Sequence, residues 1–435
     1  MTEANPVSSA CLPERPPESA AEISLYLGAF TNYELLRKLP RSRRDLGPHR
    51  ARQLLELLGL PPSGLPVIQV AGSKGKGSTV LWMEALLLAR GARPGSYLSP
   101  HLEHRNERIR IAGQPVSDAL VLQGLSELHP VLKQLQRQNP DLMPTFFDLW
   151  TVLALWTFAR QGASHALLEV GLGGPLDSTS AIPHDVGILT SIDLEHQEEL
   201  GATLLEIARE KARIARPGRP FIINDLRTCH GEAAAKAARS AGARVSGVPT
   251  KLRLPEQVAP PQDQNLATAV TALEALYTNR PIPTPEIDKA VASIQLPGRL
   301  EELPGPPPLL LDSAHTRLAM EYFRKHFRAW RGSRRGALLV GFLNGKNWQD
   351  ALQGFAAEAR ELHWIVTCPD PRRGLDPTKI AGFLAPWQAD VVTVLEPQRA
   401  LEKLLERATR ATPVAVTGSF YLAGRARSFW RALRK

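Results

Sequence analysis

The sequence predicts an α/β fold in two domains, and three observations carry that reading. Short β-branched or apolar runs alternate with longer helical patterns from about residue 23 onward. Several of those runs open into glycine-rich or polar loops. The alternation then restarts after the proline-rich stretch LPGPPP at Leu303 to Pro308. The expected division is a disordered tail over 1–20, a larger domain over 21–298 with a mainly parallel sheet flanked by helices, and a smaller α/β domain over 299–435.

In chain order, residues 1–20 are rich in Pro, Ser, Ala and Glu without periodic apolar positions, which predicts disorder. LPVIQVAG reads as a strand, STVLWMEALLLARG as the helix after it, and the region from Tyr97 to Ile111 as further α/β structure. TFFDLWTVLALWTFARQG, from Thr145 to Gly162, is apolar nearly all round but too short to span a bilayer, so it predicts a buried helix. HALLEVGLGG and DVGILTSID read as short strands that run into polar loops. In the second domain LLLDSAH, ALLVGFLNG, HWIVTCPD, DVVTVLEP and PVAVTGSF repeat the strand signal with helices between them.

Composition bounds the function. The chain has 435 residues, 43% of them hydrophobic, which is enough for sizeable cores. No run of eighteen apolar residues occurs, and the N-terminus lacks the basic-then-apolar layout of a secretory signal, so the cytoplasm is the expected compartment. Cys11, Cys229 and Cys368 are odd in number and far apart, suggesting neither a disulfide framework nor a zinc site. The net charge of +10, with clusters at Arg37 to Arg50 and Arg425 to Lys435, suits an acidic partner: nucleic acid, a membrane surface or a polyanionic small molecule. Aromatics are few and not interleaved with the basic clusters, which argues against single-strand binding. Most of the charge reads as solvated surface.

VIQVAGSKGKGSTVLWME is the segment richest in chemistry. Backbone N–H groups that cradle a phosphate need glycines, a lysine and a helix N-terminus behind them. Gly72, Gly75 and Gly77 supply the first, Lys76 the second, and the apolar helix expected to start at Ser78-Thr79 the third. Ser73 and Lys74 complete the loop. The usual pattern G-x-x-x-x-G-K-[ST] fails because Gly77 stands between lysine and hydroxyl. Ser78 read alone is either a magnesium ligand or a helix N-cap.

AGSKGKGST resembles the ATP-binding loop of folylpolyglutamate synthase and its bifunctional form with dihydrofolate synthase, in the Mur ligase superfamily, where the extra glycine is part of the pattern. Further segments resemble that family in order: LSPHLEHRNERI, LLEVGLGGPLDSTS, TSIDLEHQEELGATLLEIAREKARI, LPGRLE, LLLDSAH and VTGSFYLAG. The matches run from about residue 25 to about 430.

The resemblance implies an N-terminal P-loop ATPase domain, a Rossmann-like C-terminal domain, and ATP-dependent ligation of L-glutamate to folate, with dihydropteroate a possible second acceptor. It implies an acyl phosphate intermediate. Lys76 would contact the phosphates and Ser78 a first Mg²⁺; Glu169 and His196 would hold a second Mg²⁺. Lys211 would be carbamylated, although on helix pattern alone the Glu210-Lys211 pair reads as surface charge. Asn265, Arg299, Asp312 and His315 would complete the nucleotide site. The expected partners are small molecules (folate or dihydropteroate, glutamate and ATP), not nucleic acid or membrane, and the expected state is a monomer.

The sequence departs from the family pattern at Pro175 and Ser180 in GGPLDSTS, at Pro261 where the family has histidine, at Glu195 of the Glu195-His196 pair, at Thr316, and in the loop Gly345-Lys346-Asn347. These changes bear on substrate and glutamate recognition more than on ATP. They keep two alternatives open: an amide ligase for another carboxylate, or a catalytically silent nucleotide-binding paralogue.

Overall fold

A computed structural model describes residues 12–33, 47–249, 252–278 and 280–433. Cys11, most of the basic cluster from Arg37 to Arg50, and the last two residues lie outside the described residues. So does the expected tail up to residue 11; beyond it Leu12 is buried, and a helix starts at Ala20 behind a Ser19 cap, so the expected disorder does not extend to 12–20. Tyr26 and Leu27 of that helix join the same apolar cluster as Leu12.

The chain forms two units. The first comprises Met1–His101 and Asn106–Ile294, the second Leu102–Arg105 and Gln295–Lys435. The break between Ile294 and Gln295 falls close to the expected one after residue 298. The short segment Leu102–Arg105 had been expected in the larger domain.

The first unit holds strands β1 (Val67–Ala71), β2 (Pro94–Tyr97), β3 (Ile109–Ile111), β4 (Gln114–Pro115), β5 (His165–Glu169), β6 (Val186–Leu189), β7 (Pro220–Ile223) and β8 (Arg244–Gly247) in one sheet of order β4-β3-β2-β5-β1-β6-β7-β8. β2, β5, β1, β6, β7 and β8 are parallel, and β3 and β4 add an antiparallel edge. Burial on both faces explains why β1, β5 and β6 read as continuous apolar runs rather than alternating ones. The predicted buried helix is present at Phe146–Arg160, opened by a Thr145/Asp148 capping box and buried from Asp148 to Phe158. Among the described residues no helix is long and apolar enough to cross a membrane.

The second unit holds β9 (Glu301–Leu303), β10 (Leu309–Leu311), β11 (Gly336–Val340), β12 (Leu362–Val366), β13 (Asp390–Thr393) and β14 (Val414–Thr417) in the order β13-β12-β11-β14-β10-β9, parallel except for β9. The segment at residue 102 belongs here for a visible reason. Its Leu102 carbonyl lies against the helix Phe420–Ala432, 2.0 Å from where a Cβ on Gly424 would sit, and Glu103 accepts from Arg427 at 2.9 Å and Arg431 at 3.2 Å. Backbone cannot yield as a side chain can, so Gly424→Ala should lower stability by about 1–3 kcal/mol. A thermal melt unchanged from wild type would contradict this packing.

Candidate active site

β1 stands between β5 and β6, where the direction of strand addition reverses, and ligands of open parallel sheets bind beyond the carboxyl ends of strands at such a point. The loop leaving β1 is tied to the one leaving β6: the Ser73 and Lys74 N–H groups donate to the Ser191 carbonyl at 2.8 and 3.1 Å, and Ser73 Oγ donates to the Asp193 carbonyl at 3.1 Å.

Gly75 turns the chain into the helix Lys76–Ala89 in the left-handed region, φ +87°, and a Cβ there would lie 2.3 Å from Asn265 Oδ1. The helix starts at Lys76, ahead of the expected Ser78-Thr79, because this left-handed glycine is itself the cap. Ser78 is therefore not an N-cap: it is a buried residue of the first turn, 4% exposed. Lys76 Nζ folds back on the loop and donates to the Gly72 carbonyl at 3.0 Å.

The unexpected Gly77 has a physical cause. A Cβ at position 77 would sit 3.1 Å from Glu169 Oε2. Glu169, at the end of β5 and 6% exposed, accepts the Ser99 N–H at 2.9 Å through the same oxygen. The carboxylate is thereby laid along the first turn of the helix, and the glycine makes room for it.

Lys211 lies on the inner face of the helix Leu204–Ala212 with Ile207, Ala208 and Ala212, and is 2% exposed. Its Nζ meets Glu195 Oε1 at 3.0 Å. Burial pushes the Glu195 carboxyl up, but Lys211, Lys76 and Lys74 outweigh it and hold the pKa at about 2. For Lys211 burial wins: its pKa is lowered although Glu195 opposes this, and Lys76 adds repulsion. The surface-charge reading of Lys211 is thus corrected. The stripe Ile207, Ala208, Lys211, Ala212 was the signal for it, since helical residues four apart share a face. Glu195 carried no such signal, being in a loop. His196 follows it at φ +46° with its side chain 44% exposed and Nδ1 4.0 Å from Glu199 Oε2.

Asn265 is buried at the start of the helix Gln262–Leu276, where Pro261 now stands before the first turn. Its amide donates to Gln262 Oε1 at 3.1 Å, which also receives Trp82 Nε1 at 3.3 Å. The altered loop GGPLDSTS is closed on itself. Asp177 accepts Gly171 N, Leu172 N, Thr179 N and Thr179 Oγ1 at 2.6–3.0 Å, while Ser180 Oγ accepts Gln69 Nε2 at 3.0 Å.

Among the described residues, no group of three or more His, Cys, Asp or Glu could hold a metal ion. Oxygen donors are nevertheless at hand. Thr79 Oγ1 and Asp193 Oδ2 are buried with no hydrogen-bond partner among the described residues, and Asp193 was not foreseen.

In the second unit Arg299 Nη1 donates to the Gly298 carbonyl at 3.1 Å and to Ser313 Oγ, and its guanidinium lies 5.1 Å from the Phe420 ring centroid. Asp312 is buried and accepts Leu300 N at 2.8 Å and Ala314 N at 2.7 Å. Burial pushes its carboxyl up against Arg299 and those N–H groups. His315 Nδ1 is 2.9 Å from the Ser313 carbonyl. The expected residues thus form two groups, the loop with Asn265, Glu169, His196 and Lys211 in the first unit, and Arg299, Asp312 and His315 in the second.

No family model matches the chain. The probable bifunctional folylpolyglutamate synthase/dihydropteroate synthase of Haloferax volcanii is 29% identical over 427 residues, 88% of this chain, which spans about half of that relative, 48%. The dihydrofolate synthase/folylpolyglutamate synthase of Escherichia coli is 30% identical over 351 residues, 77% of this chain and 79% of the relative. Among solved structures, E. coli FolC in complex with DHPP and ADP superposes with TM-score 0.81 at 28% identity, covering 96% of this chain and 100% of that one. A bifunctional folylpolyglutamate synthase/dihydrofolate synthase with Mn, AMPPNP and L-glutamate bound gives 0.78 at 27% identity, covering 96% and 100%.

Proposed function

We infer the activity from one premise: the chain belongs to the folylpolyglutamate synthase/dihydrofolate synthase family of the Mur ligase superfamily. It joins the amine of L-glutamate to a carboxylate of folate at the expense of ATP, with dihydropteroate as the second acceptor to be tested. The observation that carries this is the glycine loop at the switch point, with Glu169 laid against Gly77 and Lys76 folded over Gly72.

The loop fits a nucleotide. Residue 75 has no room for a side chain, the helix behind it presents its first-turn N–H groups, and Lys74, Lys76 and Lys211 surround a single carboxylate, Glu195. In the proposed reaction an acceptor carboxylate oxygen attacks the γ-phosphorus and ADP departs, leaving an acyl phosphate. The glutamate amine then attacks the carbonyl carbon, loses a proton and expels phosphate. Lys76 and the first-turn N–H groups hold the negative charge that spreads over the phosphoryl oxygens. Ser78, Glu169 and His196 would hold magnesium, with Ser78 at one ion and the other two at a second. Bound there, magnesium neutralises phosphate charge. Hard oxygen donors, including the unpartnered Thr79 Oγ1 and Asp193 Oδ2, suit it.

Carbamylation of Lys211 is part of the reading. The reaction with CO₂ needs a neutral amine, and burial favours that form. Arg299, Asp312 and His315 are assigned to the nucleotide from the second unit, Asp312 by holding the loop that carries His315. The chain is proposed to act as a cytoplasmic monomer on small molecules.

A coupled ATPase assay with dihydropteroate, tetrahydrofolate and a reduced folate diglutamate, each with glutamate and magnesium, tests the assignment. Stimulation by at least one acceptor is expected. Folded protein stimulated by none would favour the silent paralogue. In the same assay Gly77→Ala, whose Cβ must displace Glu169 by a few tenths of an ångström, should raise the magnesium requirement roughly tenfold, since small displacements at a reacting centre are costly. A magnesium dependence equal to wild type would separate Glu169 from the metal.

A further inference from the structure

At the opposite, amino ends of the first unit's parallel strands, the residues that open β6 and β7 form a cationic cluster outside the machinery described above. The two strands are parallel with Gly187 beside Phe221, so Asp185 and Arg219, two places earlier, open them side by side; Arg219 Nη1 lies 3.4 Å from Asp185 Oδ1. The Arg219 N–H donates to the Arg216 carbonyl at 3.2 Å, closing a turn between the two arginines, and their guanidiniums repel each other. The other oxygen of Asp185 is committed to the Val67 N–H at 3.0 Å.

His184, the next residue back, is 3% exposed, and its Nε2 lies 3.0 Å from where a Cβ on Gly187 would sit. That nitrogen has no hydrogen-bond partner among the described residues. Burial and the two neighbouring guanidiniums hold the imidazole at about 3, hence neutral, and burial with repulsion from Arg219 also lowers Arg216. Two guanidiniums therefore share one carboxylate that is already half engaged, with a buried neutral imidazole beside them. Such a site lacks negative charge and acceptor oxygens.

We propose that Arg216, Arg219 and His184 form a binding site for a phosphate dianion. Two guanidinium forks match the tetrahedral array of phosphate oxygens, and a neutral imidazole can add one N–H without adding charge. The cluster opens the amino ends of β6 and β7, whereas the glycine loop follows the carboxyl end of β1. The strands between, four or five residues long, put roughly 13 Å or more between the two places. The phosphate bound here is not the one transferred.

Free phosphate and the phosphomonoester of a metabolite share this chemistry, so inorganic phosphate and glycerol 3-phosphate are titrated separately by calorimetry, in chloride-matched buffer. A Lys76→Ala parent keeps the loop's own phosphate contacts from dominating. Saturable binding of at least one probe is expected, weakened at least about tenfold by Arg216→Gln/Arg219→Gln. Arg216→Lys/Arg219→Lys, which keeps charge and loses the forks, should fall between. His184→Phe should weaken binding several-fold, and melting of each free variant verifies that it is folded. Absence of saturable binding of both probes, or equal binding by parent and either double variant, would overturn the proposal.

Discussion

Lys76→Ala should reduce acceptor-stimulated ATP turnover on the order of 10²–10³-fold while leaving the thermal melt within a degree or two of wild type, as expected where one preorganised donor to a developing oxyanion is removed. The ammonium rests on the Gly72 carbonyl at 3.0 Å, a contact of the loop with itself that no core element needs. Lys76 does contribute to holding Glu195 at about 2, together with Lys211 and Lys74, so a modest rise of that carboxyl is expected in the variant. Lys76→Arg should rescue little, because a planar fork does not fit where a compact ammonium folds over a glycine loop. Turnover within a few-fold of wild type in Lys76→Ala would remove this residue from phosphate handling.

Glu195→Gln should have the largest effect on stability. Lys211 and Glu195 are 3% and 13% exposed in their side chains, 3.0 Å apart, and breaking a buried pair costs about 3–5 kcal/mol because the remaining charge stays buried. The sign of the pH dependence follows from the shifts. Glu195 is lowered from 4.5 to about 2, so its contribution is fully present above about pH 4.5 and is lost as the pH falls toward 2. Lys211 is lowered, so the unfolded chain binds the extra proton and this group's contribution rises with pH between its depressed value and 10.5. Urea titrations near pH 3, 7 and 10 follow the two groups, and the difference between wild type and Glu195→Gln should shrink at the acid end. Bicarbonate distinguishes the two states of Lys211. A carbamate beside Glu195 is repelled by it, so saturating CO₂ should make the Gln variant less costly. An equal penalty with and without CO₂, together with an unmodified lysine by mass in active enzyme, would leave the ammonium pair as the working form.

Much of this was legible in the sequence for identifiable reasons. The central strands are buried on both faces, so their apolar runs stood out, and the strand-loop-helix at residues 67–89 announced itself by its glycines. Gly77 was legible as a departure but not explicable, because its reason is Glu169, a residue 92 positions away in the chain and adjacent only through the parallel pairing of β1 with β5. On helix pattern alone Lys211 reads as surface charge, because charge is weighed above its place on the Ile207 stripe; the family resemblance is what marks it for the site. Glu195 and Asp193 lie in a loop with no periodicity to read. The placement of Leu102–Arg105 with the second unit depends on Gly424 and Arg427, more than 300 residues on, and no local signal announces it.

The most direct test of the central claim is to supply tetrahydrofolate labelled with ¹⁸O in its γ-carboxylate, with glutamate, ATP and magnesium, and to weigh both products. A folate heavier by one glutamyl residue is expected, with one ¹⁸O atom carried into the released phosphate. Phosphate without the label, or ATP consumed with no glutamylated product, would contradict it.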